Sequence, residues 1–185
     1  TGFVGTLHKT ATLLEGRCDQ VVITNGEGGF KYSTLAERLY GVELTDPEIG
    51  RAELPRVRRR EMPDAARVIG LSHVDFLGAQ DHRHTTDRTE ILGPDSPWDL
   101  PSIRGSLRRI LIEGAYDFVL VHWPSKRTHA HHQAATLLAL ETVQGMAPET
   151  RPAVLAGYTA NPDDEPRKPE GMADEPNTAF REDVA

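Results

Sequence analysis

Short apolar runs alternate with amphipathic segments along most of the chain. Residues 4–14 carry apolar side chains at helical spacing, and Gly16 is placed to end that helix. The β-branched run 21–24 predicts a short strand, and the glycine-rich segment 25–29 follows it directly. Glycines at a strand end permit positive φ and close approach of a ligand to the backbone. We therefore expect the chain to open with a helix, a strand and a turn suited to binding.

The alternation of apolar runs and amphipathic segments continues to about residue 158. Further helices are predicted over residues 53–69, 102–113 and 132–143, and strands over 74–77, 116–121 and 153–158. Pro63 is expected to interrupt any long continuous helix in the first of these segments.

This order of elements predicts an α/β fold with a Rossmann-like, mainly parallel sheet flanked by helices. Residues 1–160 would form one domain, and residues 161–185, rich in Pro, Asp and Glu, would form a loop or loosely ordered tail.

Composition narrows the class of protein. A length of 185 residues suits one domain, and the net charge of -7 argues against a nucleic-acid partner. The basic run 56–60 is interpreted as a solvated helix face. The lone Cys18 excludes an internal disulfide and a cysteine-based zinc module, and no apolar stretch reaches the roughly 20 residues of a membrane span. We expect a cytoplasmic protein of unknown oligomeric state.

The segment with the most candidate functional residues lies at the predicted start of the last helix. This histidine segment contains His129, His131 and His132. Because ligands collect at the carboxyl ends of parallel strands, this segment after strand 116–121 is placed to build a site. His129 and His132 can share one side of a helix entry, and neutral imidazole is a common zinc ligand. The alternative interpretation is three surface histidines that begin an ordinary helix.

Two histidines cannot complete a catalytic zinc site, which uses three protein ligands and a water. Composition alone offers five residues that could supply the others: Glu27, Asp81, His82, His84 and His122.

Arg58 and Asp81 also admit two interpretations from the residues alone. Arg58 lies three residues before Glu61, so the two can form an exposed ion pair of about 0.5 kcal/mol. Asp81 follows a predicted strand and can be a turn or helix-capping residue.

Taken together, four separate segments resemble the LmbE-like or PIG-L family in order and spacing. The segments are Ile23 to Gly29, Arg58 to Glu61 with Ala65-Ala66 and Ile69-Gly70, Phe76-Leu77-Gly78 with Asp81, and His129 to His132. The resemblance covers residues 1–145 and implies a zinc-dependent N-deacetylase acting on an N-acetylglucosamine-type group in a small-molecule glycoconjugate.

The resemblance also implies roles for individual residues. His132 matches the zinc-binding histidine that ends the family's His-x-Asp-His motif. His129 matches its first histidine, which implies a catalytic role in which an imidazolium stabilises the oxyanion or assists proton transfer. Arg58 and Asp81 match positions that contact the sugar. His131 stands where the family pattern has Asp, so this chain departs from the family at that position.

A second departure concerns the family's His-Pro-Asp-Asp-Glu segment, which carries two zinc ligands and the aspartate base. The resemblance implies that the chain begins just after it. Residues 161–165, Asn-Pro-Asp-Asp-Glu, match it except for the first residue, but they lie at the opposite end and are interpreted as a chance match. Taken as given, the chain is expected to bind zinc weakly and to show little hydrolysis.

The main alternative is a non-catalytic sugar-binding module that has lost its metal centre. A nucleotide-binding Rossmann protein is disfavoured, because residues 25–29 lack the glycine spacing of a dinucleotide or phosphate-binding loop.

Overall fold

The computed structural model describes residues 3–157. Six α-helices lie in this range: α1 Val4–Thr12, α2 Thr34–Tyr40, α3 Pro47–Ile69, α4 Thr89–Leu92, α5 Leu100–Gly114 and α6 Ala130–Gln144. Four strands alternate with them: β1 Asp19–Thr24, β2 His73–Ala79, β3 Phe118–His122 and β4 Ala153–Gly157. Short 3₁₀ helices cover Glu27–Tyr32 and Pro148–Thr150.

All strand pairings in the described residues are parallel, which confirms the predicted α/β class. β1 pairs with β2 and β3 pairs with β4, so the strands form two separate two-stranded sheets instead of one continuous sheet. Thr24 lies opposite Ala79, and His122 lies opposite Gly157. The segments that follow Thr24, Ala79 and His122 carry the glycine-rich turn, Asp81 and the histidine segment.

The sheet of β1 and β2 is covered by helices on both faces. Leu77 and Ala79 pack into the main core with residues of α5 and α6. Val74 packs with residues of α1 and α3 on the other face, and the guanidinium of Arg59 lies 5.0 Å from the centre of the Phe76 ring. This alternation is the two-residue period of a strand buried on both sides.

The sheet of β3 and β4 packs against the same helix pair as the first sheet. Val119 and Val154 contact a cluster that contains Leu111 of α5 and Val143 of α6. Helices α5 and α6 therefore hold the two sheets in one layered unit.

Helix α3 runs through Pro63, so the expected interruption there is wrong. The helix contains both Pro55 and Pro63 within its 23 residues. Its first turn is capped by Asp46, whose Oδ1 accepts hydrogen bonds from the backbone N–H groups of residues 48 and 49, each at 2.9 Å. Gly70 ends it in the left-handed conformation, φ +95°. Strong caps and packing outweigh the helix bonds that the two prolines remove.

The other predicted elements lie close to the observed ones, and α2 and α4 are additions. The last predicted strand is confirmed over Ala153–Gly157, whereas its final residue and the predicted tail 161–185 lie outside the described residues. Within residues 3–157, no helix combines the length and apolar character needed to cross a membrane.

Candidate functional site

The glycine-rich turn after β1 is tied to the end of β2. The Asn25 N–H donates to the carbonyl of Ala79 at 2.9 Å, and its side-chain amide donates to the carbonyl of Gly78 at 2.9 Å. Gly26 has φ +79°, a conformation that side-chain-bearing residues rarely adopt. The turn is thus held in a defined position beside the next strand.

Arg58 reaches this turn from α3. A Cβ added at Gly26 would lie 3.3 Å from Cγ of Arg58, and a Cβ added at Gly29 would lie 4.0 Å from Nη2 of Arg58. Its Nη1 donates to Oε2 of Glu61 at 2.7 Å, so the ion pair expected from the spacing is present. The side chain is still 44% exposed, which leaves the guanidinium free to meet a ligand beside the turn.

Asp81 links the glycine-rich turn to the histidine segment. Its Oδ2 accepts the backbone N–H of Gly28 at 3.0 Å, and its Oδ1 lies 3.1 Å from Nδ1 of His131. Burial alone would raise the pKa of Asp81, but the hydrogen bond and charge of His131, with the Gly28 N–H, bring it below its usual range. Asp81 is therefore an ionised acceptor between two chain segments.

His129 is the N-terminal capping residue of α6. Its Nδ1 accepts the backbone N–H of His131 at 3.1 Å. Burial, followed by repulsion from His131 and other histidines, lowers the pKa of His129 to about 4. The imidazolium expected from the sequence is therefore disfavoured. The ring is neutral near pH 7 and, with Nδ1 accepting, carries its proton on Nε2.

His132 lies one turn further into α6 and stacks on His122. The ring centres are 4.9 Å apart and the planes differ by 9°. Burial, together with the neighbouring His122, lowers the pKa of His132. A neutral imidazole is the form that ligates a metal.

Three other residues suggested as ligands, His84, His82 and Glu27, have different surroundings in the structure. His84 joins the histidine cluster, with its ring centre 4.7 Å from that of His129. His82 instead faces Glu90 at 3.8 Å. Glu27, at the glycine-rich turn, has a buried Oε2 without a hydrogen-bond partner among the described residues.

A zinc site needs at least three donor side chains that converge on one position. Within residues 3–157, no group of three or more His, Cys, Asp or Glu side chains is arranged to hold a metal ion. His132 suits one coordination position in its protonation state, but the described residues do not complete a zinc site.

Two structural residues of the site were not expected from the sequence. Trp98 stacks on His131 with ring centres 5.3 Å apart. Gln133 is buried, and its amide donates to the carbonyls of Thr86 and Thr128 at 2.9 and 2.7 Å. Neither role can be predicted from the local sequence. Trp98 stacks on a residue far away in the chain, and Gln133 bonds to backbone carbonyls outside helices and strands.

These features define an α/β protein whose glycine-rich turn, aspartate and histidines meet at the carboxyl ends of parallel strands. The chain belongs to the PIG-L family: the family model described as GlcNAc-PI de-N-acetylase matches residues 1–143. This assignment confirms the family resemblance found in the sequence.

A solved structure with a similar fold is the N,N'-diacetylchitobiose deacetylase from Pyrococcus horikoshii, complexed with its inhibitor MPG. It aligns with a TM-score of 0.52 and 23% identity over 77% of this chain. The match spans 44% of the deacetylase chain, so this chain corresponds to less than half of that protein. No curated protein matches the chain.

Proposed function

We propose that the protein hydrolyses the acetamide of an N-acetylglucosamine-type group in a small-molecule glycoconjugate, as a zinc-dependent N-deacetylase. Membership of the PIG-L family supports the reaction class. The observation that carries the proposal is the pair of contacts made by Asp81. These contacts join the glycine-rich turn to the histidine segment at the carboxyl ends of the strands. A sugar held at the turn would thereby lie beside the histidines.

Arg58 and Asp81 are proposed to bind the sugar. The partly exposed guanidinium of Arg58 can donate to hydroxyl groups, and a carboxylate oxygen that already accepts one hydrogen bond can accept a second. The turn between them can present backbone groups at close range, because Gly26 and Gly28 carry no side chains.

His129 is proposed to act on the reacting amide. Hydrolysis adds water to the acetyl carbonyl, breaks the C–N bond and releases acetate and the amine, which takes up a proton. A neutral His129 can donate its Nε2–H to the oxygen on which negative charge develops. This donor would stabilise the oxyanion through a hydrogen bond and not through a full positive charge.

His132 is proposed as one zinc ligand, with the remaining ligands supplied from outside residues 3–157. A bound zinc ion would supply Lewis-acid polarisation and activation of water. The stacking of His132 on His122 fixes the plane of the imidazole, which reduces the conformational cost of ligation.

The direct test is release of acetate from N-acetylglucosamine glycosides by the zinc-supplemented protein. We expect hydrolysis to fall by about a hundredfold or more in His129→Ala, as for loss of one oxyanion donor. His73→Ala is the matched control, because His73 is an exposed histidine at the start of β2. Equal activity in His129→Ala and the control would reject the catalytic role.

Metal binding is tested separately by calorimetry on chelator-treated protein. One-to-one zinc binding that His132→Ala weakens, and His73→Ala does not, would support His132 as a ligand. Zinc affinity that is the same in all three proteins would reject that assignment.

A second candidate function is a sugar-binding module without hydrolytic activity. Arg58 and Asp81 both lie beside the glycine-rich turn, and neither contact depends on a metal ion, which favours this alternative. It predicts binding of an N-acetylglucosamine glycoside that Arg58→Gln weakens, together with no acetate release at any zinc concentration. Acetate release that depends on His129 would reject it.

A further inference from the structure

His131 and Asp81 form a buried pair at the centre of the candidate site. Nδ1 of His131 lies 3.1 Å from Oδ1 of Asp81, and the two side chains are 8% and 20% exposed. Asp81 is ionised and can only accept, so His131 supplies the donor.

Trp98 fixes both members of the pair. Its indole stacks on the ring of His131, with the planes inclined by 30°. Its Nε1–H donates to the carbonyl of Gln80 at 2.8 Å, directly before Asp81. One buried side chain therefore orients the histidine ring and the backbone that carries the carboxylate.

The other carboxylate oxygen of Asp81, Oδ2, contacts the glycine-rich turn. It accepts the N–H of Gly28 at 3.0 Å, and a Cβ at Gly28 would lie only 2.8 Å from it. Gly28 lies in the first turn of the 3₁₀ helix Glu27–Tyr32, where backbone N–H groups have no partner within the helix. The Asp81 carboxylate supplies that partner.

We propose that His131 is a positioning residue that acts through Asp81 to hold the backbone of the glycine-rich turn at Gly28. The side chain at position 131 must donate a hydrogen bond, because two acceptors would otherwise face each other, and a carboxylate there would also add a second negative charge beside Asp81. The effect on the sugar pocket rests on the proposed function, whereas the hold on Gly28 does not.

The test compares His131→Asn with His131→Asp, two variants of nearly equal size that differ in whether the side chain can donate. Hydrogen exchange at the Gly28 amide is measured by NMR without substrate. We expect His131→Asp to exchange this amide about ten- to a hundredfold faster than the wild type, and His131→Asn to stay within about threefold of it. Equal exchange in the two variants would overturn the proposal.

Two further proteins keep the test independent of general destabilisation. His73→Asp changes an exposed histidine whose Nε2 lies 3.5 Å from Asp75, and it should leave Gly28 unaffected. The double variant Asp81→Asn with His131→Asp reverses the direction of the hydrogen bond, while the carboxamide oxygen at position 81 can still accept from Gly28. It should restore slow exchange, and failure to do so would overturn the proposal even if His131→Asp alone unfolds.

Kinetics separate this proposal from the proposed function. If the wild type releases acetate, His131→Asp should raise KM more than it lowers kcat, and His131→Asn should restore KM. If the wild type releases no acetate, the proposed function fails while the exchange comparison at Gly28 still decides the role of His131.

Discussion

The hydroxyl of Tyr116 donates a hydrogen bond of 2.6 Å to Oδ2 of Asp19 and so connects the two sheets. Asp19 begins β1, and Tyr116 lies just before β3. The Asp19 side chain is only 3% exposed and also receives a 2.6 Å contact from Arg17. The amino-terminal ends of the two sheets are thus joined by a partly buried hydrogen bond to the buried carboxylate of Asp19.

Loss of this bond should destabilise the fold. In Tyr116→Phe, the free energy of unfolding should fall by about 1.5–3 kcal/mol, the usual cost of losing a hydrogen bond to a charged group. The measurement is urea denaturation followed by circular dichroism. Tyr40→Phe is the control, because the Tyr40 hydroxyl makes a longer 3.2 Å bond to a carboxylate, that of Glu61, which is 31% exposed against 3% for Asp19. The loss of stability in Tyr40→Phe should therefore be clearly smaller. Equal losses would contradict a special role for Tyr116.

The same contact predicts how Tyr116 titrates. Burial, followed by the hydrogen bond to Asp19, raises the pKa of Tyr116 to about 12. Ultraviolet absorbance should therefore show one phenol ionising later than the others, and Tyr116→Phe should remove that phase. Because the folded-state pKa is raised, this contribution to stability is complete below the unfolded value near 10 and is lost as pH rises toward 12.

The contact between Gly28 and Asp81 predicts the effect of adding a methyl group to the turn. Gly28→Ala would place Cβ 2.8 Å from Oδ2 of Asp81, so the free energy of unfolding should fall by about 1–3 kcal/mol. Gly29→Ala is the matched control, because the nearest atom, Nη2 of Arg58, would be 4.0 Å away. Thermal unfolding of the two variants makes the comparison, and similar melting temperatures would show that Asp81 does not confine Gly28.

Arg58 should affect ligand binding more than folding. Arg58→Gln should change the free energy of unfolding by less than about 1 kcal/mol, because its ion pair with Glu61 is exposed. It should weaken binding of an N-acetylglucosamine glycoside, or raise KM, by about tenfold or more through loss of a charged donor.

The control for Arg58 is Arg67→Gln on the same helix. Arg67 pairs with Asp64 at the same spacing and at 2.9 Å, but both side chains are more than 70% exposed. Binding constants for the two variants are compared by calorimetry. Equal weakening would mean that the charge of α3, and not the location of Arg58, controls the affinity.

The alternation of helices and strands, and the segments that follow the strand ends, can be predicted from the sequence alone. Apolar periodicity predicted β1, β2, β3 and β4 because short β-branched runs suit a pleated, buried surface. The order and spacing of the four matched segments also identified the family, since those residue types recur together. The same matched segments predict Arg58, Asp81, His129 and His132 as site residues.

How these segments meet in space depends on the three-dimensional fold. The pairing of strands into two sheets and the course of α3 through Pro63 depend on packing between distant elements. Likewise, the neutral state of His129 follows from burial among other histidines, and the bridge from Gly28 through Asp81 to His131 joins three separate parts of the chain. Local sequence patterns carry no information on such contacts, because the free energy of each depends on what the fold places beside it.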